Sequence, residues 1–268
     1  METKPEKTKA RPKGVSALWV IIGCAIAAHL FFYLYCGHES GFDAKGHPLP
    51  GNPFAVLYQG GFVIPIVITL LLTVIVLSFE RFFALNRASG KGNVTTFIAN
   101  AKAKLEANDM NGTEKLCDEQ KGSVANILKA GLVRYKDVEG YTDMHNDQKA
   151  ELIQHEIEDA TSLELPYLEQ NLPIIAAISS LGTLFGLLGT VLGMIKSFQA
   201  MGQEGSPDST ALALGISEAL MNTAMGIGTG ALAIISYNYF TSRVKEITDA
   251  VTEVGYAIGQ TYARKHAK

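Results

Sequence analysis

Between about Leu172 and Phe240 the chain is an apolar hairpin, and no other stretch restricts the fold as strongly. The first arm, LPIIAAISSLGTLFGLLGTVLGMIKSF, runs from Leu172 to Phe198. The second, ALALGISEALMNTAMGIGTGALAIISYNYF, runs from Ala211 to Phe240. Each exceeds the roughly 20 apolar residues that cross a bilayer as a helix. Each is also interrupted by polar residues: Ser179, Ser180, Thr183 and Thr190 on one arm, Glu218, Asn222, Thr223 and Thr229 on the other. An ionisable group at membrane depth costs at least about 2.5–3.5 kcal/mol on insertion scales, so Glu218 is expected to face protein or water. With no cation expected beside it, Glu218 should favour its neutral form and exchange protons near neutral pH. Lys196, near the outer end of its arm, is expected to snorkel to the interface.

Two further apolar runs precede the hairpin. Val15–Cys36 (VSALWVIIGCAIAAHLFFYLYC) follows a basic tail with Lys4, Lys7, Lys9, Arg11 and Lys13. The run has the length of a membrane helix and no clear small-residue cleavage site follows it, so a retained span is preferred to a signal peptide. The excess of Lys and Arg puts the tail in the cytoplasm. His29 within the run is expected to be neutral and bonded to a neighbouring helix. Phe62–Phe79 is the second span, and Glu80, Arg81, Arg87 and Lys91 after it mark its return to the cytoplasm. Between them, residues 37–61 form a periplasmic loop in which Pro53–Gln59 reads as a short interfacial helix.

The charge pattern divides the chain into a basic tail (1–14), an extra N-terminal span (15–36), the loop (37–61) and a second span (62–80). A cytoplasmic helical domain (81–171), a pore span (172–199), a periplasmic turn (200–210), a second pore span (211–240) and a cytoplasmic C-terminal helix (241–268) follow. The fold class is all-α membrane protein with about four spans and both termini cytoplasmic. In the polar domain Val94–Leu105, Thr113–Glu119 and Val124–Tyr135 read as short helices broken at Asn111-Gly112 and Gly122, and Asp143–Leu165 as a longer one. Glu151, His155 and Asp159 share a face at i, i+4, i+8, which reads as a solvated surface in preference to a metal site. The acidic run Glu156, Glu158, Asp159, Glu164, Glu169 reads equally as a cation-gathering vestibule or as a solubilising surface.

The net charge of −3 gives no hint of nucleic-acid binding, and Cys24, Cys36 and Cys117 form neither a disulfide framework nor a CxxC site. They read as packing residues. His38 and His47 lie too far apart for a metal pair. No nucleotide loop, nucleophile elbow or zinc ligand set is present, so the chain reads as neither an enzyme nor a metalloprotein. Gly226, Gly228 and Gly230 follow no strand and read as helix packing, not as a dinucleotide fingerprint.

On the hairpin, Gly182, Gly186, Gly189 and Gly193 form a small-residue face, repeated by Gly215, Gly226 and Gly230, that lets membrane helices approach closely. Thr183 and Thr190 lie within about 20° of each other on a helix of 3.6 residues per turn. Glu218, Asn222 and Thr229 fall within about 40°, whereas Thr223 points roughly 140° from Glu218. Singly, each threonine could bond only its own i−4 carbonyl. Two polar faces on adjacent helices favour an ion or proton pathway in an oligomer around a lumen.

The segments GLLGTVLGMIKSF (Gly186–Phe198) and GISEALMNTAMGIGTGALAIISYNYF (Gly215–Phe240) resemble the paired signature of the MotA/TolQ/ExbB proton-channel family, with ExbB and TolQ most similar. The resemblance covers about Phe62 to the C-terminus. It implies a homopentamer around a lumen that holds a single-span ExbD- or TolR-like partner, with protons as the transported ion and no cofactor. In an ExbB-type system it implies force delivered to a TonB-like protein in a bacterial inner membrane. By motif, Thr190 and Thr223 match the family's pore threonines and Glu218 its membrane glutamate, with Thr183, Asn222 and Thr229 as further lining. Leu192 stands where the family often has Trp, and Asn222 where it often has a small residue. The Val15–Cys36 helix is an addition to the shorter members, expected outside the ring.

Overall fold

The computed structural model describes residues 15–44, 47–49, 51–202 and 209–266. The basic tail and the tip of the hairpin turn lie outside the described residues. Helix α1 (Ala17–Leu30) continues as a π-helical turn over Phe31–Cys36. Then come α2 (Pro53–Gln59), α3 (Val63–Ser89), α4 (Val94–Glu106), α5 (Met110–Gln120) and α6 (Gly122–Glu139). The chain ends with α7 (Asn146–Leu168), α8 (Leu172–Gly202) and α9 (Ser209–His266). No strand occurs among the described residues, where pairing of extended backbone is confined to one bridge between Phe42 and Pro48. Among the described residues four helices are long and apolar enough to cross a membrane.

At the ends of these helices, polar side chains satisfy backbone N–H groups that have no partner within the helix. Asn52 accepts from Phe54 and Ala55 ahead of Pro53, Asn93 accepts from Thr95, and Asp109 accepts from Gly112. The Asp109 cap overrides the expected break at Asn111-Gly112, and both residues lie inside α5. The break at Gly122 is present, with φ +85° at that glycine. Helix α7 runs past the expected end at Leu165, carries Pro166 in its last turn, and stops before Asn171 at φ +65°. Likewise α3 continues beyond Glu80 to Ser89, because nothing in Arg81–Ser89 breaks a helix once the chain has left the apolar run.

The largest difference from expectation is α9. It is one helix of 58 residues, about 87 Å long at 1.5 Å per residue, where a membrane helix and a separate C-terminal helix were expected. A bilayer core is about 30 Å thick, so half or more of α9 projects beyond it. That projecting part is the spine of a helical bundle with α4, α6 and α7. Ile157 of α7 is wedged between Gly131 of α6 and Gly255 of α9, where added Cβ atoms would lie 2.7 and 2.9 Å from its side chain. Phe97, Leu105, Cys117, Leu132, Val251, Val254 and Ile258 complete this core.

Among the spans, α8 and α9 pack along the hairpin and α3 packs against both. Helix α1 packs on α3, with Ala28 and Phe32 against Ile64 and Ile68. The remaining surface of α1, including Leu18, Trp19, Ile22, Ile26 and Leu30, is exposed and apolar, as a lipid-facing helix requires. His29 is also exposed and bonds Ala25 O of its own helix at 2.8 Å, not a neighbouring helix as expected. Cys24, Cys36 and Cys117 are free and buried. The bundle marks one side of the hairpin and the turn between α8 and α9 the other; these are called the bundle side and the turn side.

Candidate functional site

The site is built on the close approach of α8 and α9. A Cβ on Gly226 would fall 2.5 Å from Gly182 O and 2.6 Å from the Cα of Gly186. On Gly193 a Cβ would fall 2.9 Å from that of Ala219, and on Gly182 it would fall 3.1 Å from Gly226 O. Contacts this tight require glycine, and they place the backbones near enough for one helix to bond the carbonyls of the other.

Thr190 and Thr223 meet in this seam. Each hydroxyl lies 3.2 Å from Gly186 O, and the two hydroxyls bond each other. The Thr190 bond is the expected i−4 contact within α8, whereas the Thr223 bond crosses from α9. Two hydroxyl protons serve three oxygen–oxygen contacts, so the cluster has more than one hydrogen-bond arrangement. Both threonines are half-buried, with one edge open to the surface of the hairpin. Thr183, also half-buried, bonds Ser179 O at 3.4 Å, about two turns further toward the bundle side.

Asn222 and Thr229 are 1% exposed, so neither opens onto a surface that could line a lumen. The small face of α8 lets α9 roll inward until this polar stripe lies within the helix contact. Thr229 bonds Met225 O at 2.9 Å and packs on Gly182. Asn222 packs on Gly189 and donates from Nδ2 to Gly60 O in the α2–α3 turn at 3.1 Å, which ties the hairpin to the preceding span.

Glu218 lies apart from the threonines, five residues toward the turn side, about 7.5 Å along the axis. It is not the isolated carboxylate expected: Lys196 Nζ donates to its Oε1 at 2.6 Å, and only 11% of the Glu218 side chain is exposed. The Lys196 side chain is 57% exposed, but its head group is directed to Glu218. The pairing had a signal in the sequence. Lys196 and Glu218 stand at similar distances before and after the hairpin turn, hence at similar depth.

A second polar cluster, not anticipated from the sequence, sits on the bundle side of the spans. Arg81 is fully buried, pairs with Glu80, and donates from a terminal nitrogen to Tyr167 O at 3.1 Å. Asn171 donates to Glu80 Oε2 at 3.2 Å and to Val15 O at 3.3 Å. The start of α1, the middle of α3 and the α7–α8 junction are thereby joined. Of the expected acidic run on α7, Glu164 is 2% exposed and so lies in the interior, while Glu156, Glu158 and Asp159 are on the surface. His155 bonds Asp159 at 3.1 Å on an exposed face, Asp43 accepts from the backbone of His47, and no cluster fit for a metal occurs among the described residues.

The profile of the MotA/TolQ/ExbB proton channel family matches residues 119–253, half of the chain, which include both hairpin arms. The chain is 32% identical over 120 residues to the Tol-Pal system protein TolQ of Pseudomonas aeruginosa, covering 45% of this chain and 52% of that one. It is 38% identical over 90 residues to the biopolymer transport protein ExbB of Helicobacter pylori, covering 34% and 60%. To the ExbB of Aquifex aeolicus it is 35% identical over 79 residues, covering 30% and 53%. The chain thus spans between about half and three fifths of the length of these curated relatives. With four apolar spans and the matching hairpin, this multi-pass membrane protein belongs to the MotA/TolQ/ExbB proton channel family.

Proposed function

We propose that the chain is the channel and stator subunit of an ExbB–ExbD-type motor in a bacterial inner membrane. Five copies form a ring, an ExbD-like single-span partner occupies the lumen, and proton flow down the proton motive force is converted to force on a TonB-like protein. The bundle side is cytoplasmic, with both termini, and the α8–α9 turn is periplasmic. Thr190 and Thr223 hydrate the path beside the partner helix, and Glu218 exchanges protons nearer the outer mouth.

One observation carries this reading. A hydroxyl pair from two different spans, sharing one backbone carbonyl, remains open at one edge, whereas Ser197, Asn222 and Thr229 of the same seam are buried. Polarity kept at membrane depth without full burial is the mark of an ion path.

The test is native mass followed by proton flux in vesicles, with the chain co-expressed with its candidate partner. Thr223→Ala and Glu218→Gln are each expected to lower flux about tenfold, equivalent to about 1.4 kcal/mol of barrier, while five copies remain together. Full flux in both variants would sink the assignment of these residues, and a monomer that binds no partner would leave no lumen. Growth on scarce iron against sensitivity to detergent separates an ExbB role from a TolQ role in envelope integrity.

A further inference from the structure

We propose that Lys196 is a positioning residue that latches Glu218: the ion pair closes the outer end of the path, and a proton reaches the carboxylate only when the ammonium moves away. The inference rests on the proposed proton-channel function and adds a residue and a gating step to it.

Three observations place the latch. Lys196 Nζ lies 2.6 Å from Glu218 Oε1, so the ammonium occupies one carboxylate oxygen and its charge opposes protonation of the other. The two partners differ in freedom. Glu218 is nearly enclosed in the seam at 11% exposure, whereas Lys196, at 57%, sits on a flexible four-carbon stem that can swing outward. The α2–α3 turn roofs the pair. Gly61 has φ +66°, and a Cβ there would lie 3.4 Å from both Glu218 Oε1 and Lys196 Nζ. Asn222, bonded to Gly60 O, holds that roof in place. The pair is therefore confined by backbone on one side and released on the other only by movement of the lysine.

In mechanism, outward movement of Lys196 exposes the Glu218 carboxylate and a proton binds its oxygen. When the proton passes inward the carboxylate is restored, and Lys196 returns to it. No covalent bond other than O–H forms or breaks. A channel with the latch removed leaves Glu218 open to protons at all times.

The experiment measures proton leak into vesicles holding the full chain and its partner. Lys196→Met is expected to raise leak several-fold, Lys196→Arg to restore the tight state, and Lys196→Met with Glu218→Gln to abolish the added leak. Leak in Lys196→Met equal to the unsubstituted protein, or leak that persists in the double variant, overturns the latch. Should Lys196→Met not assemble, carbodiimide coupling of the unsubstituted complex decides. A Lys196–Glu218 cross-link supports the latch, and coupling at the Lys102–Glu253 pair with none at Lys196–Glu218 overturns it. Absence of any flux in the unsubstituted complex is a different result, and it refutes the channel reading itself.

Discussion

At the residue scale, polar groups in this chain are held by specific partners, and their removal has separable consequences. Arg81 is fully buried between Glu80 and the Tyr167 carbonyl. Removing one member of a buried ion pair typically costs about 3–5 kcal/mol, so Arg81→Met is expected to destabilise the protein by that order in chemical unfolding. Neutral unfolding data for Arg81→Met would show that the cluster is dispensable. Cys117 gives a gentler test. Burial pushes its thiol up to about 12, with the charge of Asp118 adding to the effect, so the thiolate is scarce at neutral pH. Cys117 is expected to resist maleimide in the folded protein and to react once the bundle is unfolded.

At the scale of elements, the α8–α9 seam and the helix caps set the geometry. A Cβ at Gly226 meets backbone of α8 at 2.5–2.6 Å, and backbone cannot turn aside as a flexible side chain can. Gly226→Ala is expected to force the arms apart, destabilise the hairpin by about 1–3 kcal/mol and lengthen the Thr190–Thr223 contact, lowering flux with stability. Gly228 faces open space, so Gly228→Ala is the matched control. In the bundle, the N–H of Gly112 and then Lys104 hold the Asp109 carboxyl below the usual carboxylate range. The stabilisation by this cap is present above the unfolded pKa, about 3.9, and is lost as pH falls through the lower folded value. Protection of the Gly112 amide, measured as its exchange rate relative to the intrinsic rate at each pH, is therefore expected to hold through mild acid and to fall only below that range. The helices themselves were legible from apolar runs and charge breaks. Their ends were less so, because Asp109 capped α5 ahead of a sequence turn signal and α3 ran on past the membrane charges.

At the scale of the whole molecule, α9 passes without interruption from the hairpin into the bundle. The seam and the bundle-core residues Val251, Val254 and Ile258 therefore belong to one continuous helix. Helix α1 stands outside this axis, packed on α3 and joined to the α7–α8 junction through Asn171 and Val15. A chain that starts after Cys36 is expected to melt at a lower temperature while keeping the oligomeric mass of the full chain. Loss of assembly on that truncation would make α1 part of the ring contact.

The sequence by itself determined the apolar spans, the small-residue face of each arm and the presence of threonines on adjacent helices. Hydrophobic length and helical periodicity are properties of one segment, and a single chain carries them in full. Only the tertiary structure decided which polar groups meet. It brought Thr190 to Thr223, turned Asn222 and Thr229 inward, gave Glu218 to Lys196 and buried Arg81 beneath Tyr167. Those pairings depend on how far one helix is rotated and shifted against the next. Glycine packing in the seam fixed that rotation, and the depth of each residue from the hairpin turn fixed the shift.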